Sequence, residues 1–282
     1  MPRPHIEFIQ SQALAWQPSP WPHLPGCQVK ILSRDPESGA ATTLLKLPPG
    51  WSEAREGWLD AGVEHYVLEG EVDLNGRQYP PDTYAWLPPG YPFRSMATTT
   101  GAVVLVFFDA EPRWHEGVHP DVGPDASDAV EMLDAYRMPW ASENMDPAYG
   151  DVGLRWKLLR GSPDDDHCTM LVSCPPHVHP PGWSGPQEVH DCVEEMYLLS
   201  GDYLSDRGTM CAGAYFWRPP GNAHGPYGTR GGNLAIIRTL GAPLRNNWTS
   251  HHVKLSRAPT YQPVLPDSLR SHARQPWRAQ NY

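Results

Sequence analysis

Three stretches of this sequence carry histidines and carboxylates at spacings that could hold a metal ion. One is Glu188-Val189-His190, followed by Glu194. Side chains two apart on a strand point the same way, so Glu188 and His190 share a face. Another is "YFWRPPGNAH", Tyr215 to His224, where a histidine follows a Pro-Pro-Gly turn. The third, "PPHVHPPGW", places His177 and His179 at the same two-residue spacing. Imidazole with carboxylate suits Fe, Mn, Ni, Cu or Zn. Arg238 interrupts the apolar strand "NLAIIRTLG". Facing inward it could grip a substrate carboxylate through two hydrogen bonds; facing outward it would sit at a sheet rim. Tyr197, Trp183 and Trp217 are candidates for an aromatic pocket, and Cys192, between His190 and Glu194, reads as a buried or turn thiol.

The elements that must position these residues are written twice. "YAWLPPGYPF" (84–93) and "YFWRPPGNAH" (215–224) share the frame Y-x-W-x-P-P-G, but Phe93 stands where the second copy has His224. "VEHYVLEGEV" from Val63 matches "VEEMYLLSGDY" from Val193, and one offset of 131 joins Gly70 to Gly201, Pro88 to Pro219 and Gly101 to Gly232. "KILSRDPESGAATTLL" lies over "KLLRGSPDDDHCTMLV" at an offset of 127, so the second copy gains four residues in between. A repeat this long is a tandem duplication. Each copy reads as short strands rich in Val, Tyr, Phe and Leu, bounded by Gly and Pro. The 33 Pro and 25 Gly leave little room for helices. One helix is expected between the copies, at Asp125 to Met138, from its acidic start and the helical spacing of Val130, Leu133 and Tyr136. The expected fold is all-β, two tandem barrels with a short helical linker.

Gly213-x5-Pro219-x-Gly221-x2-His224 resembles the second motif of the cupin superfamily, with Gly228 where that motif usually ends in Asn. Glu194-x6-Gly201 resembles the end of the first motif. That motif begins H-x-H, and Glu188-Val189-His190 stands in its place. The sequence therefore resembles a bicupin, two jelly-roll barrels in one chain. The resemblance implies His190, Glu194 and His224 as metal ligands, with Glu188 replacing the usual first histidine; His177 or His179 is the alternative. Two carboxylates would neutralise a divalent ion and favour harder metals. At the offset of 131 the ligand positions of the first copy are Gly57, Leu59, Val63 and Phe93, so it kept the fold and lost the metal. The expected organisation is an N-terminal extension (1–24), a metal-free barrel (25–110), a linker (111–150), a metal-binding barrel (151–241) and an extended C-terminal arm (242–282) that wraps a neighbour.

The resemblance implies one divalent metal per chain, Fe(II) favoured over Mn, Zn, Ni or Cu, and a dioxygenase cleaving a C–C bond in a small chelating diketone or aromatic substrate. Arg238 and Tyr197 are the candidate catalytic residues beside the metal. A Lewis-acid isomerase, lyase or hydrolase, and a non-catalytic sensor, are the other classes. A homodimer is expected, because such barrels pair through sheet edges. The net charge of −10 disfavours nucleic acid as a partner. No apolar run is long enough to span a membrane, no secretion signal opens the chain, and five cysteines, an odd number, suit a reducing cytoplasm.

Overall fold

The computed structural model describes residues 3–120, 128–143, 145–177, 179–180, 182–255 and 261–273. The chain forms two compact β units. The first comprises Met1–Arg3 and Ala15–Met138; the second comprises Pro4–Leu14 and Pro139–Tyr282. In the first, one sheet runs Val130–Asp134, Thr83–Leu87, Val63–Gly70, Ala102–Phe108, Ala41–Leu47, Gln28–Arg34, Gln17–Pro18. In the second, the order is Ile6–Gln10, Ala214–Arg218, Val193–Ser205, Asn233–Leu240, His167–Cys174, Arg155–Gly161. Smaller antiparallel sheets complete each jelly roll, among them Ser184–Val189 paired with Asn247–Lys254. The centre strands read as continuous apolar runs because both faces are covered: all seven residues of Ala102–Phe108 are buried. Each such Val, Leu or Phe contributes about 1.5–3 kcal/mol.

The duplication is visible in the register. Tyr84 pairs with Tyr66 and Trp86 with Glu64; Tyr215 pairs with Tyr197 and Trp217 with Glu195, each shifted by 131. The repeated frame has a physical reason at each end. Its tyrosine hydroxyl donates to a buried carboxylate in both copies, Tyr84 to Glu64 at 2.6 Å and Tyr215 to Glu195 at 2.8 Å. Its glycine N–H donates to a backbone carbonyl in both, Gly90 to Leu59 and Gly221 to His190, each at 2.8 Å. Gly70 and Gly201 have φ of +72° and +80°, and a Cβ there would stand 1.9 and 2.0 Å from the carbonyl oxygens of Gly101 and Gly232. Only glycine fits such a bulge.

Three expectations change. Of the helix expected at 125–138, residues 125–127 lie outside the described residues, and in the described part Val130–Asp134 is instead a strand pairing with Thr83–Leu87. Sheet pairing outweighs a weak helical period there. The N-terminal extension does not stand apart, because Ile6–Gln10 is the edge strand of the second unit, beside Ala214–Arg218. It takes the place that Val130–Asp134 takes in the first. Of the C-terminal arm, Asn247–Lys254 folds onto its own unit. Among the described residues no helix is long and apolar enough to cross a membrane, and the five cysteines are free.

Candidate metal centre

Glu188 is the next-to-last residue of the strand Ser184–Val189, and a bridge joins its backbone to that of His224. His190 follows in the turn before Val193–Ser205, and Glu194 is the second residue of that strand. Among the described residues, Glu188, His190 and His224 place one ligand atom each within 4.8 Å of one another, and all three are buried. The two imidazole centroids are 4.9 Å apart. Glu194 joins them from the side: its Oε2 is 3.5 Å from His224 Nε2, and Glu188 Oε1 is 3.6 Å from the same nitrogen.

Both imidazoles are oriented by backbone. His190 Nδ1 lies 2.9 Å from the Arg245 carbonyl and His224 Nδ1 lies 2.9 Å from the Asn222 carbonyl. A carbonyl only accepts, so each Nδ1 carries a hydrogen, and in the neutral ring Nε2 is left a bare acceptor. His224 Nε2 is buried with no hydrogen-bond partner and faces two carboxylates. Acceptors turned on one another need a cation between them, and the orientation of a metal-bound histidine by its other nitrogen is the usual arrangement. Charge points the same way. With their carboxylates ionised, Glu7, Glu188 and Glu194 supply three negative charges against the one positive charge of Arg218, leaving two for a divalent ion to offset. The residues present fit a mononuclear divalent metal.

The carboxylates are held by residues that the motifs did not indicate. Arg218, 2% exposed, donates to Glu194 Oε2 at 2.7 Å and to Glu7 Oε2 at 2.6 Å. Its guanidinium stacks 3.5 Å over the Phe216 ring. Burial pushes Glu7 up, but Arg218 outweighs it and brings the carboxyl down to about 2. Glu194 is likewise pushed up by burial and held below its ordinary value by Arg218, His224 and His190. The Tyr149 hydroxyl donates to Glu188 Oε2, and burial together with that carboxylate raises the phenol well above its ordinary range. Arg218 had a visible signal, a lone cation in "YFWRPPG" where the first copy has Leu87. Glu7 had none, being 211 residues away in sequence.

The other candidates are placed elsewhere. His177 and His179 line the cavity above the cluster without joining it. His179 stacks on Trp183 at 3.7 Å, and His177 Nδ1 lies 3.5 Å from Cys174 Sγ. Cys192 is buried and its thiol is pushed up to about 12 by burial. Arg238 and Tyr197 do not face the cluster, which corrects their assignment as catalytic. Met196 on one strand and Ala235 and Ile237 on the other line the cavity, so local alternation turns their neighbours Tyr197 and Arg238 to the opposite face. There Arg238 pairs with buried Glu195, and Tyr197 Oη lies 3.4 Å from Ser11 Oγ.

The cavity beside the cluster measures about 1330 Å³; the one in the first barrel is about 70 Å³. In the first barrel the Glu188–His224 bridge recurs as Gly57–Phe93. Leu59, Val63 and Phe93 line its small cavity. A Cβ on Gly57 would meet the Trp114 ring at 2.2 Å, so no ligand side chain fits at that position.

A family model described as the ChrR cupin-like domain matches residues 5–112 and again 131–242. No curated protein matches the chain. Among solved structures, a candidate dioxygenase from Nostoc punctiforme is 18% identical with a TM-score of 0.73, over 90% of this chain and 92% of that one. A candidate glyoxylate-induced protein from Pseudomonas aeruginosa is 14% identical with a TM-score of 0.58, over 91% and 94%. A mutant of the oxalate decarboxylase of Bacillus subtilis is 13% identical with a TM-score of 0.53, over 86% and 79%. These likenesses concern the fold.

Proposed function

The chain belongs to the ChrR cupin-like family, and from that premise we propose that its second barrel is a mononuclear Fe(II) dioxygenase acting on a small substrate that chelates the metal through oxygen. The observation that carries the reading is the buried cluster of two imidazoles and one carboxylate, Glu188, His190 and His224, beside a large cavity. Two histidines and one carboxylate with open positions is the donor set of non-heme iron oxygenases. The likeness to a protein named as a candidate dioxygenase accords with it.

His190, His224 and Glu188 would hold the metal, with Glu194 in reach as a fourth ligand. Bound there, Fe(II) would supply the redox chemistry that joins O2 to a chelated substrate. The chain's own residues do the rest. The Arg245 and Asn222 carbonyls aim the two Nε2 lone pairs. Tyr149 fixes one oxygen of Glu188 by donating to it, which leaves the other toward the site. Arg218, anchored on Glu7, holds Glu194 against rotation. Burial of the cluster keeps bulk water from the reacting atoms.

The experiment is metal reconstitution. Protein purified without metal-chelate chromatography is stripped and reloaded, and O2 uptake is followed with an aromatic or alkyl β-diketone. Fe(II) is expected to restore uptake in step with substrate loss, and Zn(II), which has no redox chemistry, is not. Full turnover with Zn(II) or Ni(II) under anaerobic conditions would replace this reading by the Lewis-acid one.

A further inference from the structure

The two barrels share a frame, yet one is filled and the other is hollow. Part of the difference lies on the inward face of one strand. In the first barrel Val104, Val106 and Phe108 line the interior, and Phe108 packs on Trp21 with ring centroids 4.9 Å apart. At the offset of 131 the second barrel has Ala235, Ile237 and Thr239. Alanine for valine leaves space, and Ala235 and Ile237 line the cavity of about 1330 Å³. Cavities that take drug-sized ligands measure about 300–1,000 Å³, so this one holds far more than a two- or three-carbon acid.

Its lining is divided. The metal-capable atoms sit together within 4.8 Å. The apolar residues form a contiguous cluster of their own: Trp156, Met170 and Val172 are buried together, with Leu158 and Ile237 packed against them. A packed protein would fill such an apolar interior with its own side chains. Resting on the metal-centre reading, we propose that the ligand of this site is an amphiphile, with a chelating oxygen head at Glu188, His190 and His224 and an alkyl or aryl body against Trp156, Met170, Val172 and Ile237. Ala235 is the residue that admits the body. Small hydrophilic dicarboxylates are thereby disfavoured, because they would leave the apolar cluster wet and place further negative charge beside Glu188 and Glu194.

Two probes with one head separate head from body: acetohydroxamic acid and octanohydroxamic acid, titrated calorimetrically into the Zn(II)-loaded protein and into the metal-free protein. Octanohydroxamate is expected to bind at least about 100-fold more tightly to the loaded form, from burial of its longer chain. Ala235→Leu should cut that advantage below about tenfold while moving the acetohydroxamate Kd less than about twofold. Ile237→Phe carries the same expectation, should Ala235→Leu fail to fold. Equal binding of the two probes, or variants that weaken both alike, would overturn the proposal. The chain-length preference should persist in the metal-free protein. It needs no turnover, so a failure to consume O2 would sink the dioxygenase reading alone, and a lost chain-length preference would sink this inference alone.

Discussion

Glu7→Gln tests the support of the metal centre from the N-terminal strand. The substitution keeps the shape of the side chain and removes its charge. Among the described residues, Arg218, 2% exposed, then keeps Glu194 as its carboxylate partner. Two routes give the magnitude. A fall of the Glu7 carboxyl from 4.5 to about 2 corresponds to about 3 kcal/mol of stability in the folded state. Removing one partner of a buried ion pair costs about 3–5 kcal/mol. The unit that includes Ile6–Gln10 should therefore lose about 3 kcal/mol, roughly 6–12 °C in Tm. The two units can unfold separately, so calorimetry should follow the transition that metal shifts upward. The pH dependence has a definite sign. The folded carboxyl titrates below the unfolded one, so its contribution is complete above about pH 4.5 and is lost as pH falls toward about 2. The gap between the wild type and Glu7→Gln should close over that window. Metal affinity, measured by chelator competition, should also fall, because Arg218 now draws on Glu194 alone. A variant within about 0.5 kcal/mol of the wild type, with unchanged metal affinity, would refute the argument.

His190→Ala and His224→Ala should each take metal content from one per chain to below about a tenth, read by elemental analysis, while far-ultraviolet circular dichroism stays that of a folded barrel, since removing a ligand harms affinity more than packing; a full metal complement in His224→Ala would show that the cluster is not the site. Gly201→Ala should destabilise the second unit by at least about 2 kcal/mol in denaturant unfolding, because its φ is +80° and a Cβ would stand 2.0 Å from the Gly232 carbonyl oxygen; a neutral substitution would mean the bulge relaxes freely.

Much of the site was legible because its signals are local. Glu188, His190, Glu194 and His224 were expected from the resemblance to the cupin motifs, and ligand atoms of Glu188, His190 and His224 lie within 4.8 Å of one another. The expectation that the first barrel lacks ligands came from Gly57, Leu59, Val63 and Phe93; that a Cβ at Gly57 would meet the Trp114 ring is a packing fact. The place of Glu188 beside His224 needed the structure, because a bridge between residues 36 positions apart leaves no periodic trace.

The sequence by itself determined the duplication and the β class, since each is a pattern of residue types along a strand and turn, and its cupin-like motifs indicated the candidate ligands. The tertiary structure decided what faces the candidate metal cluster and what holds it. A strand has two faces, and which one turns inward is set by sheet pairing, so Arg238 and Tyr197 went to the face opposite the cluster. Edge pairing is equally non-local: Ile6–Gln10 joins the second unit, and Val130–Asp134 forms a strand where a helical period was written. From that strand Glu7 reaches Arg218 and, through it, Glu194. Ion pairs between distant residues are chosen by the desolvation of charge in a shared interior, and that interior exists only once the barrel has closed.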